Sequence, residues 1–530
     1  MNDWTSGYVA ELDYTSDFFH DMTPTRMALA TLAQGQRHGL DEAQLTYCEL
    51  GCGHGFTANI VAASNPHIDV HAMDFNPSHI AGARLLAKEA DLPNVTFYER
   101  SFDDFGDAAG LPEMFDIITL HGVMSWVSEE NQNHIVNFIS QRLKPGGLVY
   151  VSYNSQPGWA GAMPLRQLLT DHAANGSGPL EQRIDDALEY AETLREAGAH
   201  FFTQNPHEAT RLRSMRTMSR QYLAHEFFNR DWTPFHFSDL AAKMAGAKLD
   251  FVGSSNIIDN FEDLCFTEAQ LAVLSKEPDP IRREVIGDLM HAEQFRTDLF
   301  IRGKAPQTER GAVAGWFKTA FTLTRRYTHG PIKPEWRGTA IDMSDMEYDA
   351  FLKALAGGPA TLHELMANGV FGHMTWAQIT KMISILIGAK SIAPCLPADK
   401  AHRAREACRR FNLAVCNRAE ELDQLRFLAS PVTGGGIEVN RLEQLFLLAR
   451  HEGHETPAAW AAFVWQILAP QGQRMEQDGR TLETAEENLA VLQARAQSFA
   501  ARKLDIFVQL GLSLDEVDQP MGEMATSSAA

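Results

Sequence analysis

The chain has 530 residues, 46 of them basic and 68 acidic, for a formal net charge of −22. Such a length exceeds a single hydrophobic core and predicts two to four domains. The acid excess disfavours nucleic acid over most of the surface, suits a cationic partner such as a lysine-rich protein, and keeps a chain soluble. Cys48, Cys52, Cys265, Cys395, Cys408 and Cys416 lack zinc-finger spacing and read as reduced thiols. Met1 to Asp21 has neither the basic start nor the apolar core of a signal peptide, and no apolar run is long enough to span a membrane. A cytoplasmic protein without membrane insertion is expected.

Residues 1–45 form an aromatic arm. Trp4, Tyr8, Tyr14, Phe18 and Phe19 precede the first strand in a segment too short for its own core, so the arm packs on something, either as plain docking or as a pocket wall at Tyr14. Thr23, Pro24 and Thr25 supply caps for a helix over Arg26 to Gln34.

A buried strand is predicted over Leu45 to Leu50 and a helix over Phe56 to Ala63, joined by Gly51-Cys-Gly-His-Gly55. Glycines in such a turn take positive φ and let a ligand approach the backbone. A second strand, Ile68 to Met73, ends in Asp74, about twenty residues past the turn, where a carboxylate can accept both ribose hydroxyls of an adenosine cofactor. The pattern Glu49-Leu-Gly-Cys-Gly-His-Gly55 is not Gly-x-Gly-x-x-Gly, and Phe56 opens the helix where a pyrophosphate would need free amides. A phosphate-free cofactor, S-adenosyl-L-methionine, meets these conditions, with Glu49 placed to hold its ammonium group.

The rhythm continues with a helix over Pro77 to Ala90, strands over Val95 to Tyr98 and Phe115 to Leu120, a helix over Ile135 to Leu143, and a Lys144-Pro-Gly-Gly147 turn into a strand over Leu148 to Tyr153. This is an α/β pattern, a Rossmann-like parallel sheet covered on both faces. Ligands bind such sheets at the carboxyl ends of the strands. Phe75, Ser101, Phe102, His121, Gly122 and Asn154 therefore join the candidates.

The glycine turn, the acidic end of the second strand and the Lys-Pro-Gly-Gly turn resemble the class I S-adenosylmethionine-dependent methyltransferases up to about residue 155. The segments His121-Gly-Val-Met-Ser-Trp-Val127, Tyr153-Asn-Ser-Gln-Pro-Gly-Trp159, Tyr222-Leu-Ala-His-Glu-Phe227 and Ser430-Pro-Val-Thr-Gly-Gly-Gly436 resemble bacterial methyltransferases that carry a methyltransferase regulatory domain, over nearly the whole chain. That group includes lysine methyltransferases of outer-membrane proteins. The resemblance implies methylation of protein lysines, and the candidate cofactor contacts, taken from strand-end position and chemistry, are Glu49, Gly51, Gly53, Gly55, Asp74, Phe75, Ser101, Phe102 and His121. The rival readings are a small-molecule methyltransferase and a non-catalytic S-adenosylmethionine-binding scaffold. Where the family often has Gly-Asp after the third strand, this chain has Arg100-Ser101-Phe102, with Asp103 or Asp104 as substitutes. The Asp/Asn-Pro-Pro-Tyr acceptor clamp is missing, so the candidate acceptor pocket is drawn from strand ends and the arm: Tyr14, His121, Trp126, Tyr153 and Asn154.

The methyltransferase domain is expected over 46–160 and a helical and regulatory domain over 161–302. A linker over 303–340, a winged-helix-like domain over 341–400, a helical domain over 401–520 and a disordered tail over 521–530 complete the chain. The third helix of the winged-helix outline offers only Lys381 as a base, which favours protein docking over DNA. His451-Glu-Gly-His454 has its histidines three apart where a zinc-protease motif needs four, so no metal site is expected. A homodimer is compatible with this organisation.

Overall fold

The computed structural model describes residues 16–328, 334–343 and 348–515. Trp4, Tyr8, Tyr14 and the tail from Met521 to Ala530 lie outside the described residues.

The centre is a seven-stranded sheet in the order β3-β2-β1-β4-β5-β7-β6. Strands β1 (Leu45–Leu50), β2 (Ile68–Asp74), β3 (Val95–Glu99), β4 (Phe115–Leu120) and β5 (Leu143–Asn154) run parallel. Helices α1 (Pro24–Ala33), α2 (Phe56–Ser64), α3 (Pro77–Glu89) and α4 (Glu129–Arg142) belong to the same part of the chain. Helix α4 starts six residues before the expected Ile135, because Glu129 to His134 carry no apolar stripe. Its start is fixed instead by the hydroxyl of Ser128, which accepts from the Asn131 amide, and by Glu129 and Glu130 at the positive end of the helix dipole.

The sheet does not stop at residue 160. Strands β6 (Leu249–Ser254) and β7 (Phe295–Arg302) come from the segment assigned above to a separate regulatory domain. β7 pairs antiparallel with β5 from Leu148↔Ile301 to Asn154↔Phe295. A boundary after 160 therefore cuts through one continuous sheet. The insertion between β5 and β6 includes α5 (Met163–Asn175), α6 (Leu180–Glu196), α7 (Pro206–Met215) and α8 (Arg220–Phe227), which bury their own core of Leu169, Ile184, Leu188, Leu212 and Leu223.

The segment 303–340, expected as a linker, contains α9 (Glu309–Lys318) and β8 (Ala320–Leu323). β8 is the middle strand of a small antiparallel sheet, between β9 (Ala360–Thr361) and β10 (Ile392–Pro394). α10 (Tyr348–Leu355), α11 (Leu362–Ala367) and α12 (Trp376–Gly388) pack with it. Capping boxes start α11 at Thr361 and α12 at Thr375.

Helix α13 (Ala398–Arg418) then returns to the methyltransferase half. Phe411 meets Phe56 with ring centroids 6.1 Å apart, the Cys408 thiol points at the Ala63 carbonyl at 3.4 Å, and Arg418 pairs with Glu89 at 2.8 Å. All nine residues of α2 are consequently buried, a pattern that a helix covering a sheet edge on one face alone would not show. A hairpin of β11 (Phe427–Ser430) and β12 (Gly435–Glu438) packs nearby, its Gly436 so close to Phe18 that a Cβ there would lie 2.8 Å from the ring.

Candidate functional site

The three glycines of the β1–α2 turn all have positive φ, +71° at Gly51, +53° at Gly53 and +64° at Gly55, but for different reasons. A Cβ on Gly51 would lie 2.7 Å from Val123, and one on Gly55 would lie 2.5 Å from Phe97 and 2.7 Å from Ala83. Those two glycines let the turn pack against its own protein. A Cβ on Gly53 would meet nothing within 4 Å, so this residue presents bare backbone to open space.

Asp74, 7% exposed at the end of β2, holds the turn in place. Its Oδ2 accepts from the Gly53 amide at 2.9 Å and its Oδ1 from the Asn76 amide at 2.9 Å, with His79 Nδ1 3.3 Å away. An ionised carboxylate has about four acceptor positions, so Asp74 retains capacity for hydroxyl donors. Glu49, 4% exposed, has an Oε2 without a hydrogen-bond partner, and burial together with the nearby Asp74 charge raises its carboxyl to about 8. A buried acid in this state fits a cationic guest.

Phe75 and Phe102 are half-buried around the turn, and the Phe102 ring comes within 3.9 Å of the position of a Gly51 Cβ. Ser101 is exposed; its hydroxyl donates to Asp103 and its amide to Asp104 Oδ1 at 3.1 Å. The two acids expected as substitutes for the Gly-Asp pair are thus bonded to their own loop.

At the end of β4 the ring of His121 is clamped. Phe19 stacks on it at 3.5 Å and 17°, and Tyr150 OH lies 2.8 Å from its Nδ1. Burial lowers the imidazole from 6.5 to about 3, which disfavours its protonated form and makes it a weak base toward an ammonium group. The arm reaches it across the start of α2, where the Phe19 amide donates to Thr57 Oγ1 at 3.4 Å. Phe19, not Tyr14, is the arm residue found on His121.

Asn154 lies in the same part of the molecule. Its amide donates to Ser125 Oγ at 2.9 Å, its carbonyl accepts from the Phe235 amide at 2.8 Å, and its buried Nδ2 has no partner. Tyr153 takes a different place. Side chains alternate along a strand, so Tyr150, Ser152 and Asn154 share one face of β5 while Tyr153 points to the other. It is fully buried there, donating to Asp298 Oδ2 at 2.6 Å beside Arg296. Tyr153 is therefore a core residue and does not line the pocket expected from the sequence. Tyr153→Phe is expected to lower stability by ~1–3 kcal/mol through the partner lost at buried Asp298, with cofactor affinity unchanged; denaturant unfolding and calorimetric titration check the two halves. Trp126 is half-buried, and its ring neighbour is Trp232 at 5.9 Å, which in turn meets Trp159 at 5.2 Å.

Sequence reasoning missed Tyr150 and Ser152. Ser152 Oγ accepts from the Gly122 amide at 2.8 Å, fixing the loop after β4. They lie four and two residues before Asn154, on the same face of the strand by its two-residue period, a signal that was available.

The residues fit an S-adenosylmethionine site: bare backbone at Gly53, a ribose-competent carboxylate at Asp74 and an unpaired acid at Glu49. Known proteins agree. A family model described as "Methyltransferase domain" matches residues 41–198, and one described as "Predicted methyltransferase regulatory domain" matches 219–302. The chain belongs to the class I S-adenosylmethionine-dependent methyltransferases that carry a methyltransferase regulatory domain. Its cofactor is S-adenosylmethionine. Among individual proteins it is 37% identical over 510 residues to the uncharacterized protein sll1526 of Synechocystis, covering 96% of this chain and 100% of that one. It is 24% identical over 254 residues to the uncharacterized protein RP789 of Rickettsia prowazekii, covering 47% of this chain and 45% of that one. The fold is shared with PKMT2 from Rickettsia typhi, solved in complex with AdoHcy, at a TM-score of 0.68 and 17% identity over 95% of this chain and 100% of that one.

Glu49 gives a pH test. Its pKa in the folded protein lies above the ordinary value of 4.5, so between about 4.5 and 8 the folded state holds a proton the unfolded state lacks, and stability falls as pH rises through that window. A bound ammonium group favours the ionised form, so cofactor affinity is expected to rise with pH from 6.5 to 8, by up to roughly tenfold per unit. Glu49→Gln is expected to flatten that slope, read by titration calorimetry in buffers of different ionisation enthalpy.

Proposed function

We propose that the enzyme methylates lysine side chains of a protein substrate. The observation that carries this reading is the enclosure of His121, stacked on Phe19 at 3.5 Å with Tyr150 OH 2.8 Å from its Nδ1. An aromatic enclosure that lowers the imidazole through desolvation penalises a cation in the same way, and a lysine ammonium entering it loses its proton more readily. The amine then becomes a nucleophile without a dedicated base, and its proton leaves to solvent. Bound S-adenosylmethionine supplies a methyl group already activated by its sulfonium. What remains for the protein is alignment and exclusion of water. Gly53 and Asp74 hold the nucleoside side, Glu49 the ammonium, Phe75 and Phe102 flank the turn, and His121 with Asn154 orients the acceptor under the Phe19 cover. The net charge of −22 suits a lysine-rich partner, and the resemblance to outer-membrane-protein lysine methyltransferases favours the same substrate class.

The unit around β8 to β10 is read as a winged-helix-like module that docks protein. Lys381, the sole base of α12, is ion-paired with Asp263 and so is withdrawn from phosphate contacts.

The test is transfer of label from methyl-labelled S-adenosylmethionine into lysate of the source cell, comparing the wild type with Asp74→Ala and separating protein from small molecules. Label in protein, lost in the variant and recovered as methyl-lysine after hydrolysis, supports the reading. Label confined to small molecules overturns it in favour of a metabolite acceptor, and cofactor binding with no transfer leaves a scaffold.

A further inference from the structure

A cavity of about 200 Å³ lies away from the glycine turn, where three distant parts of the chain meet. The N-terminus of α1 contributes His20, Thr25 and Arg26, the β8–β10 sheet contributes Lys390 just before β10, and the β11–β12 hairpin contributes Thr433 and Glu438. In a chain of net charge −22, a wall with two permanent cations and a histidine against one carboxylate runs opposite to the molecule as a whole.

Four further features indicate what fits there. Thr23, at the N-cap of α1, does not cap its helix; its hydroxyl donates to the His20 carbonyl at 2.8 Å, so the positive end of a ten-residue helix faces the cavity uncapped. Lys390 makes no ion pair among the described residues, whereas Arg26 is shared with Asp21 at 3.2 Å. Thr433 is 6% exposed, its amide donates to Ser430 Oγ, its carbonyl accepts from Thr25 Oγ1 at 2.9 Å, and its own hydroxyl has no partner. Burial, with Arg26 and Lys390 close by, lowers the His20 imidazole to about 3, so it stays neutral and can donate a hydrogen bond without a counterion.

The geometry points to a second ligand site: the cavity binds a small organic anion, a phosphate ester or a carboxylate, held by Lys390, Arg26, His20, the α1 N-terminus and the Thr433 hydroxyl. Such an anion reaches the methyl-transfer site through one residue. His20 directly follows Phe19, which stacks on His121 at 3.5 Å, and the Phe19 carbonyl accepts from the Met22 amide in the same turn at 3.1 Å. An occupant bonded to His20 steadies this turn and keeps Phe19 over His121. The binding stands on the cavity alone; the coupling rests on the placement of the transfer site proposed above.

The test uses the full-length protein with inorganic phosphate and, separately, citrate as probes, against chloride at equal ionic strength. Thermal unfolding and calorimetric titration are read for the wild type, Lys390→Glu and Thr433→Val. Lys390 is exposed and Thr433→Val is close to isosteric, so both variants retain the fold and bind S-adenosylmethionine as the wild type does. The expected result is a rise of several degrees in the wild type with at least one probe, and at least tenfold weaker anion binding in each variant. A response to phosphate alone identifies a phosphoryl ligand and a response to citrate alone a carboxylate. No anion-specific rise, or a rise of equal size in the variants, overturns the site. If the anion binds with cofactor affinity intact but leaves the rate of methyl transfer unchanged, the coupling is overturned and the site stands. Loss of cofactor binding or transfer in the anion-free wild type speaks against the transfer site instead.

Discussion

Asp74→Ala is expected to weaken S-adenosylmethionine binding by ~10-fold to more than 100-fold. The removed carboxylate would accept hydroxyl donors from the ribose through charge-assisted bonds worth ~1.5–3 kcal/mol. It also accepts from the Gly53 and Asn76 amides at 2.9 Å each, so the variant frees the turn as well as removing a ligand contact. Asp74→Asn separates the two effects. The amide oxygen can still accept from one backbone donor, so the turn is largely kept, while the charge assistance disappears. Titration calorimetry at constant pH reads both variants, and wild-type affinity in Asp74→Ala would remove Asp74 from the site.

Gly55→Ala is expected to destabilise the protein by ~2–5 kcal/mol. The left-handed backbone at φ +64° costs an alanine ~1–2 kcal/mol. The new methyl would also sit 2.5 Å from Phe97 and 2.7 Å from Ala83, and overpacking of this kind costs a further ~1–3 kcal/mol. Gly53→Ala provides the contrast. It carries a similar backbone penalty at φ +53° but meets no atom within 4 Å, so its stability loss is expected to be the smaller. Its effect is expected on cofactor affinity, since the methyl would block approach to the bare backbone. Denaturant unfolding ranks the two variants for stability, and calorimetric titration ranks them in the opposite order for affinity per unit of stability lost.

Strands β1 and β4 match the expected bounds because both are apolar runs ended by turn residues, the setting in which sequence pattern is most informative. The glycine turn and Asp74 were legible for a related reason, since the chemistry is local and the spacing is fixed by one strand–helix–strand unit. The sixth strand is legible in the sequence as a short strand over Leu249 to Val252 and the seventh only as an apolar stretch over Asp298 to Ile301, and neither could be placed in this sheet. β7 arrives about 140 residues after β5, and its Arg296 and Asp298 read as polar interruptions until the buried cluster with Tyr153 and Asp288 gives them partners. The expectation for Tyr153 failed on the two-residue period: it was chosen together with its neighbour Asn154, and adjacent residues in a strand cannot face the same ligand. The seat of Phe19 on His121 and the basic cavity were beyond reach for another reason. Both depend on contacts between parts of the chain with no periodic relation to one another, such as Phe19 with His121 and Thr25 with Thr433.

The burial of α2 on every side also has a temporal meaning. The helix is synthesised early, yet α13, which covers its outer face through Phe411 and Cys408, begins about 330 residues later. At ~5–20 residues per second, tens of seconds pass before the cover exists. During that interval the nascent chain carries an apolar helix directly behind its glycine turn. Ribosome-bound intermediates ending before residue 398 should therefore be the ones that chaperones retain, and release should coincide with the emergence of α13.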